Sequence, residues 1–320
     1  MSPATRFGTN AVSPLAGPTV ELPLPPGTAA GARLPWWGKM IAKLVLAHAL
    51  PRYAWRHRLG IGVHSYAAGT GGHRHEIERA VAWFAERSGR RPDSLLELGP
   101  GDSLANALYA AAAGVRKIWL VDVGDFANGD MARYREIAAA IGPDFADRVD
   151  LSSRSAMLAS IGAVYLSRGL ASLGALPAGS VDLTVSYTVL EHVRRADFSR
   201  HMAELHRVTA PGGFGMHIVD LMDHLGGALN NLRFGPRFWE HAAVADAGFY
   251  TNRLGRRDIL ALAEAAGFAT AIPYLYRWPA PPIARRSLHR QFAARSDDDL
   301  TSAMFVLALH RPPRDGIAGR

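Results

Sequence analysis

Leu95-Leu96-Glu97-Leu98-Gly99-Pro100-Gly101-Asp102-Ser103 is the stretch on which the reading of this chain turns. Ser94 to Leu98 is a short apolar run bounded by turn-forming residues, the pattern of a buried strand. Leu104 to Ala113 is alanine-rich, ends at Gly114 and reads as a helix. Glycines between such a strand and helix let the backbone turn without a Cβ penalty and approach a ligand closely. A dinucleotide fingerprint would read Gly-x-Gly-x-x-Gly, but its last position here is Leu104. Glu97, two residues before the first glycine, is the sharper feature. A carboxylate at a strand end suits a ligand with a positively charged end and repels a pyrophosphate placed close by.

Working outward, Lys117 to Val123 reads as a second strand, and Asp122 lies 23 residues after Gly99. A carboxylate there can accept hydrogen bonds from both hydroxyls of a ribose, with Asp125 as a substitute if the strand runs longer. Its other reading is a turn or cap aspartate. Helices are expected at Ile77 to Glu86, Met131 to Ile141, Phe198 to Val208 and Arg256 to Ala266. Strands are expected at Arg148 to Leu151, Val181 to Tyr187, Phe214 to Val219, Phe268 to Tyr276 and Ala303 to His310. Repeated alternation of this kind implies a doubly wound α/β fold around a mostly parallel sheet. Ligands in such sheets sit at the carboxyl ends of the strands.

Four ordered segments now resemble one family. Glu97-x-Gly99-x-Gly101-x-Ser103 resembles the first motif of class I (Rossmann-like) S-adenosylmethionine-dependent methyltransferases, with serine at the usual third small residue. Leu176-Pro177-Ala178-Gly179-Ser180-Val181-Asp182-Leu183 resembles the approach to strand four. Val189-Leu190-Glu191-His192-Val193 resembles the loop after it, and Arg207-Val208-Thr209-Ala210-Pro211-Gly212-Gly213 the turn before strand five. The resemblance covers roughly residues 90–220. It implies a seven-stranded sheet of order 3-2-1-4-5-7-6 with strand seven antiparallel, and S-adenosylmethionine as methyl donor. It further implies cofactor contacts at Glu97, Gly99, Pro100, Gly101, Ser103, Asp122 and Ser186. A residue just after strand three meets the adenine in relatives, so Ser153 is the expected contact here, with Arg154 and Ser155 as alternatives. The stretch from Ser152 to Ala175 is longer than the family usually places between strands three and four.

Methyl transfer to a hydroxyl needs a near-attack geometry and benefits from a base. His192 follows strand four, and His217-Ile218-Val219-Asp220-Leu221-Met222-Asp223-His224 gathers ionisable groups around the end of strand five. His192, His217, Asp220 and His224 are therefore the candidate catalytic residues. The second group reads as an acid/base set rather than a metal site, the alternative being a capped loop with a buried histidine. Beyond it, Leu229-Asn230-Asn231-Leu232-Arg233-Phe234-Gly235, Phe238-Trp239-Glu240 and Phe249-Tyr250-Thr251-Asn252-Arg253 mix aromatic, amide and arginine side chains. An insertion over residues 221–255 reads as a substrate wall or, equally, as simple packing of a subdomain. It loosely resembles methyltransferases of bacterial polysaccharide and natural-product enzymes.

The remaining classes are narrowed by composition. The 320 residues include no cysteine, which excludes a disulfide scaffold, a cysteine-zinc site and a cysteine nucleophile such as pyrimidine C5 methylation needs. Base amino-group methylation uses Asn/Asp-Pro-Pro-aromatic after strand four, where this chain has Ser186-Tyr187-Thr188-Val189. The net charge of +8 suggests anionic partners, or only an arginine bias, since Lys39, Lys43 and Lys117 are the only lysines. The expected acceptor is a hydroxyl of a small molecule or glycan. An RNA methyltransferase acting on ribose or ring nitrogen is one alternative, and a nonenzymatic cofactor-binding scaffold another.

Residues 1–34 are rich in Pro, Gly, Ala, Ser and Thr and read as a flexible arm. Residues 35–75 read as a helical cap before a methyltransferase domain over 76–320. Within the cap Trp37, Met40, Ile41, Leu44, Val45 and His48 recur at helical spacing, and Arg52, Arg56 and Arg58 follow. The stripe is that of a helix docked on its own domain. Cover over the cleft, or peripheral membrane contact through residues 36–58, is the other use of such a pattern. With no long apolar run and no signal-peptide pattern, a cytoplasmic location is expected.

Overall fold

A computed structural model describes residues 14–15, 17–24, 35–49 and 74–313 of the chain. Eight strands form one sheet: β1 (Val20–Pro23), β2 (Ser94–Leu98), β3 (Lys117–Val121), β4 (Ala163–Leu166), β5 (Val181–Tyr187), β6 (Thr209–Asp220), β7 (Ala269–Arg277) and β8 (Ser302–His310). The longer helices are α1 (Trp36–Ala49), α2 (Arg74–Ser88), α3 (Ala105–Ala112), α4 (Met131–Ile141), α5 (Arg154–Ser160), α6 (Leu170–Ala175), α7 (Phe198–Val208) and α8 (Arg256–Ala265). The strand order is β1-β7-β8-β6-β5-β2-β3-β4. Only β8 runs antiparallel to its neighbours. With β1 set aside, this is the order 3-2-1-4-5-7-6 with an antiparallel seventh strand.

Two apolar layers hold helices to the sheet. On one face Leu95, Ile118, Leu120, Leu183 and Val185 meet Ile77 and Phe84 of α2, Leu108 of α3 and Tyr134 of α4. On the other face Leu96, Leu98 and Val121 meet Phe198, Met202 and Leu205 of α7, and Phe305 and Leu307 meet Ile259 of α8 in the same cluster. Side chains along a strand alternate between faces. Glu97 therefore shares the face of Leu95 and points at α3, while β2 is buried along its whole length. A central parallel strand covered on both sides reads as an unbroken apolar run, which is why its single carboxylate stood out.

Three expectations change. Arg148–Leu151 is not a strand; β4 pairs with β3 from Ile118↔Ala163 to Val121↔Leu166. Ile161-Gly162 opens that strand, with Gly162 in the left-handed region (φ +66°). The stretch from Ser152 to Ala175 is thus no insertion, since it contains α5, β4 and α6. Inside the arm, Val20–Pro23 forms a parallel edge strand on β7, and Arg277 donates a hydrogen bond of 3.0 Å to Glu21. So short a strand leaves no periodicity in a proline-rich stretch.

Helix α1 lies where the cap was expected; Arg52, Arg56 and Arg58 fall outside the described residues. Its Trp36, Met40, Leu44 and Ala47 pack on a cluster built by the 221–255 segment, including Leu225, Trp239, Phe249 and Tyr250.

Candidate functional site

The chain runs outward from β2 through β3 to β4 and then returns to β5 on the other side of β2, so the crevice at the carboxyl end of β2 is the topological switch point. The loop after β2 lies there. Gly99 and Gly101 both occupy the left-handed region, at φ +64° and +68°. A Cβ on Gly99 would come within 2.6 Å of Val189, in the loop after β5, so glycine is required for the two loops to meet. Together they enclose a cavity of about 340 Å³. One wall is Gly99, Pro100, Gly101, Asp102, Asp122, Val123 and Phe126; the other is Tyr187, Thr188, Val189, His192, Val193 and His201.

Two carboxylates frame the loop. Asp122, at the end of β3, accepts hydrogen bonds from the Gly101 N–H (2.9 Å) and the Val123 N–H (2.7 Å). Glu97 is buried beneath the glycines, and its Oε1 accepts from the Asn106 amide at 2.6 Å. Its Oε2 is buried with no hydrogen-bond partner. Burial pushes the Glu97 carboxyl up to about 8, Asp122 adds to the rise, and the Asn106 hydrogen bond opposes it.

The other expected cofactor residues stand apart. Ser103 lies two residues before α3, its hydroxyl accepting the Ala105 N–H. Ser153 caps α5, accepting the Ala156 N–H at 3.1 Å, and follows no strand, so it is not positioned as the adenine contact. The residue lining the cavity after the true third strand is Gly169. Ser186 is not among the residues lining the cavity; its hydroxyl lies 2.8 Å from His217 Nδ1. Asp125 is committed to a bidentate pair with Arg154 at 2.8 and 2.9 Å.

On the second wall, His192 Nδ1 lies 2.8 Å from the carbonyl oxygen of Tyr250. A carbonyl only accepts, so Nδ1 donates, and in the neutral ring the lone pair sits on Nε2. The backbone around Tyr250 is itself fixed. The Tyr250 hydroxyl donates to Glu240 at 2.7 Å, and the Asn252 amide donates to Leu190 O (2.8 Å) and Val193 O (3.1 Å). The His224 ring stands 4.9 Å from that of His192. Behind them Glu191 Oε1 accepts the Asp220 N–H at 3.3 Å, while Glu191 Oε2 is buried without a partner. Burial raises both carboxyls, Asp220 to about 6, and Asp220 adds to the rise on Glu191. Asp220 ends β6 as expected, its carboxylate accepting the Met222 N–H.

His217 leaves the catalytic set. It is fully buried between Thr184 (3.1 Å) and Ser186 (2.8 Å), and burial lowers its ring to about 3, so it stays neutral. Asp223 accepts the N–H groups of Leu225 and Gly226 and shapes a turn. Among the described residues, no three His, Asp or Glu side chains form a group able to hold a metal ion. The supposed substrate wall is mainly internal structure. Asn231 donates to Thr251, Trp239 to the Thr251 carbonyl and Arg253 to the Phe234 carbonyl.

Two cavity residues had escaped the sequence reading. Thr188 holds φ +53°, a strained value for a β-branched residue, where the chain leaves β5. No sequence signal marks that strain. His201 projects from α7, its Nε2 buried without a partner and its ring lowered to about 4 by burial. Its spacing from Phe198 and Leu205 places it on the inward side of the helix.

Comparison with known proteins bears on the same region. Residues 96–216 match the family model of a methyltransferase domain. No curated protein matches the chain in sequence. An S-adenosylmethionine-dependent methyltransferase from Mesorhizobium loti is 17% identical, over 73% of this chain and 100% of its own, with a TM-score of 0.38. The 1,6-didemethyltoxoflavin-N1-methyltransferase of Burkholderia thailandensis is 12% identical over 88% and 92%, with a TM-score of 0.41. Phosphoethanolamine N-methyltransferase 2 of Haemonchus contortus is 14% identical over 74% and 52%, with a TM-score of 0.42. At these TM-scores the likenesses carry nothing about an acceptor.

Proposed function

The chain carries an S-adenosylmethionine-dependent methyltransferase domain of the Rossmann-like class, and from that premise we propose that it methylates a hydroxyl of a small molecule or glycan, with His192 as base. The residues of the first wall, with Glu97 buried beneath it, fit the donor. Glu97 offers a buried oxygen with no partner to an ammonium group, and left-handed Gly101 leaves the space where a Cβ would stand open. Asp122 suits a ribose, and Val123 with Phe126 gives an apolar flank for a planar base. When bound, S-adenosylmethionine supplies an electrophilic methyl group on a sulfonium that departs as a neutral thioether.

The observation that carries the acceptor reading is the orientation of His192. The Tyr250 carbonyl holds its Nδ1–H, so Nε2 is the nitrogen able to take a proton from an attacking hydroxyl, and the ring lines the cavity. In this reading the His224 ring limits the rotation of His192.

The test is a methyl-transfer screen over hydroxylated, sugar-bearing and carboxylate acceptors. With the productive acceptor, His192→Ala should lower turnover by about 10²–10⁴-fold, while calorimetric binding of S-adenosylmethionine persists. Full turnover in the variant removes His192 as the base. Turnover confined to acceptors without a hydroxyl refutes the acceptor class.

A further inference from the structure

Phe126 stands in the cavity wall with Asp122, on a loop between β3 and α4 that has no regular secondary structure. Such a loop costs conformational entropy if a ligand has to order it. Here the backbone on both sides of Phe126 is already fastened, from the direction of β4. Tyr165 pairs with Leu120 of β3, and its hydroxyl reaches the loop beyond that strand. The hydroxyl donates to the Gly124 carbonyl oxygen at 2.8 Å and accepts the Phe126 N–H at 3.2 Å. Burial raises the phenol above its usual value, so it keeps the proton that it donates.

Arg154, the first residue of α5, is the second fastener. Its guanidinium grips the Asp125 carboxylate through two bonds and donates to the Ala127 carbonyl oxygen at 2.9 Å. It also lies over the Tyr165 ring at 5.8 Å. Next along the loop, Asn128 donates to the Asp102 carbonyl oxygen from its backbone (3.0 Å) and from its amide (2.8 Å), tying the loop to the glycine turn. Gly124 leaves the space for the aromatic ring, because a Cβ there would come within 2.6 Å of it. Each residue from Gly124 to Asn128 is thus held by a named partner, and the ring at their centre is one that lines the cavity. A binding face locked by supporting hydrogen bonds loses little freedom when its ligand arrives.

We propose that Tyr165 and Arg154 are positioning residues for the donor, holding Phe126 ready as the face on which the adenine of S-adenosylmethionine packs. The inference rests on the placing of the base beside Phe126 given above. Arg154 acts on the base through the loop rather than by touching it. Tyr165 does the same from β4, so a strand residue outside the cavity lining governs how firmly the nucleoside is held.

Calorimetry with S-adenosylhomocysteine, and with 5′-methylthioadenosine, which keeps the nucleoside and lacks the amino-acid end, tests this without an acceptor. Tyr165→Phe removes only the hydroxyl and should weaken both ligands by about five- to tenfold. Phe126→Leu should weaken both by about tenfold or more. With Phe126→Leu already present, Tyr165→Phe should cost less than about twofold further, because no ring is left to position. A hydroxyl that served only the fold would leave affinity unchanged, or would lower it equally with and without the ring. Either result overturns the proposal. If Tyr165→Phe does not fold, the same cycle with Arg154→Met decides on the same terms. Unchanged affinity for 5′-methylthioadenosine in Phe126→Leu overturns the placing of the base itself, and the positioning role with it.

Discussion

Replacing Glu97 by glutamine should stabilise the ligand-free protein and weaken its hold on S-adenosylmethionine, with a pH dependence fixed by burial. In the fold the carboxyl titrates near 8; in the open chain it titrates near its ordinary value of 4.5. A carboxyl raised by folding contributes fully below 4.5, and that contribution is lost as the pH climbs through about 8. At about 1.4 kcal/mol for each tenfold change in proton concentration, wild type gives up less than about 1 kcal/mol at pH 5, about 3 at pH 7 and nearly 5 by pH 9. Glutamine cannot ionise, keeps an oxygen for Asn106 and is free of that loss. Ligand-free melting curves should therefore nearly coincide at pH 5 and separate by about 6–12 °C at pH 7, at about 2–4 °C for each kcal/mol. Calorimetry should show the opposite ordering for the cofactor. A charge-assisted hydrogen bond contributes about 1.5–3 kcal/mol, so the variant should bind S-adenosylmethionine roughly tenfold to a hundredfold more weakly. A melting gap that is the same at pH 5 and pH 8 refutes the ionisation argument. Unchanged cofactor affinity refutes the assignment of the buried oxygen to the ammonium group.

Two further substitutions test the packing. Gly99→Ala forces a Cβ to within 2.6 Å of Val189 at φ +64°; it should cost about 1–3 kcal/mol and lower cofactor affinity. Val189→Ala in the same chain should restore part of the affinity in calorimetry, and no rescue would mean that the clash is not the cause. His217→Ala removes the shared partner of Thr184 and Ser186 and should cost about 2–4 kcal/mol in denaturant unfolding. Turnover per folded molecule should stay within about threefold of wild type, and a catalytic loss like that of His192→Ala would return His217 to the chemistry.

The donor half of the site was legible because local rules govern it. Strand β2 ends at Leu98 as its apolar run does, and the glycines and Glu97 then fall at the switch point without reference to distant residues. Strand β4 was misplaced because α5 and α6 are too short to show a helical period around it, leaving several candidate runs of similar length. The acceptor half depends on depth and register. His217 and Ser186 are register partners on adjacent strands and so share a covered face, which only the pairing of β5 with β6 reveals. Asn252 likewise looked like a recognition residue, yet it clamps Leu190 and Val193 some sixty positions earlier in the chain.

Strand β1 has a consequence for assembly. It covers the outer edge of β7 from Tyr274 to Arg277, where the backbone groups would otherwise present an open template to any extended chain. The leading arm, poor in every feature that marks a folded element, thus works as a sealing strip. Its own outer side is short and ends at Pro23, which has no N–H to offer a further strand. Trimming the arm past Pro23 would expose β7 from Tyr274 to Arg277 as a sticky border, so the cost of losing those residues would appear as clumping before it appeared as lost catalysis.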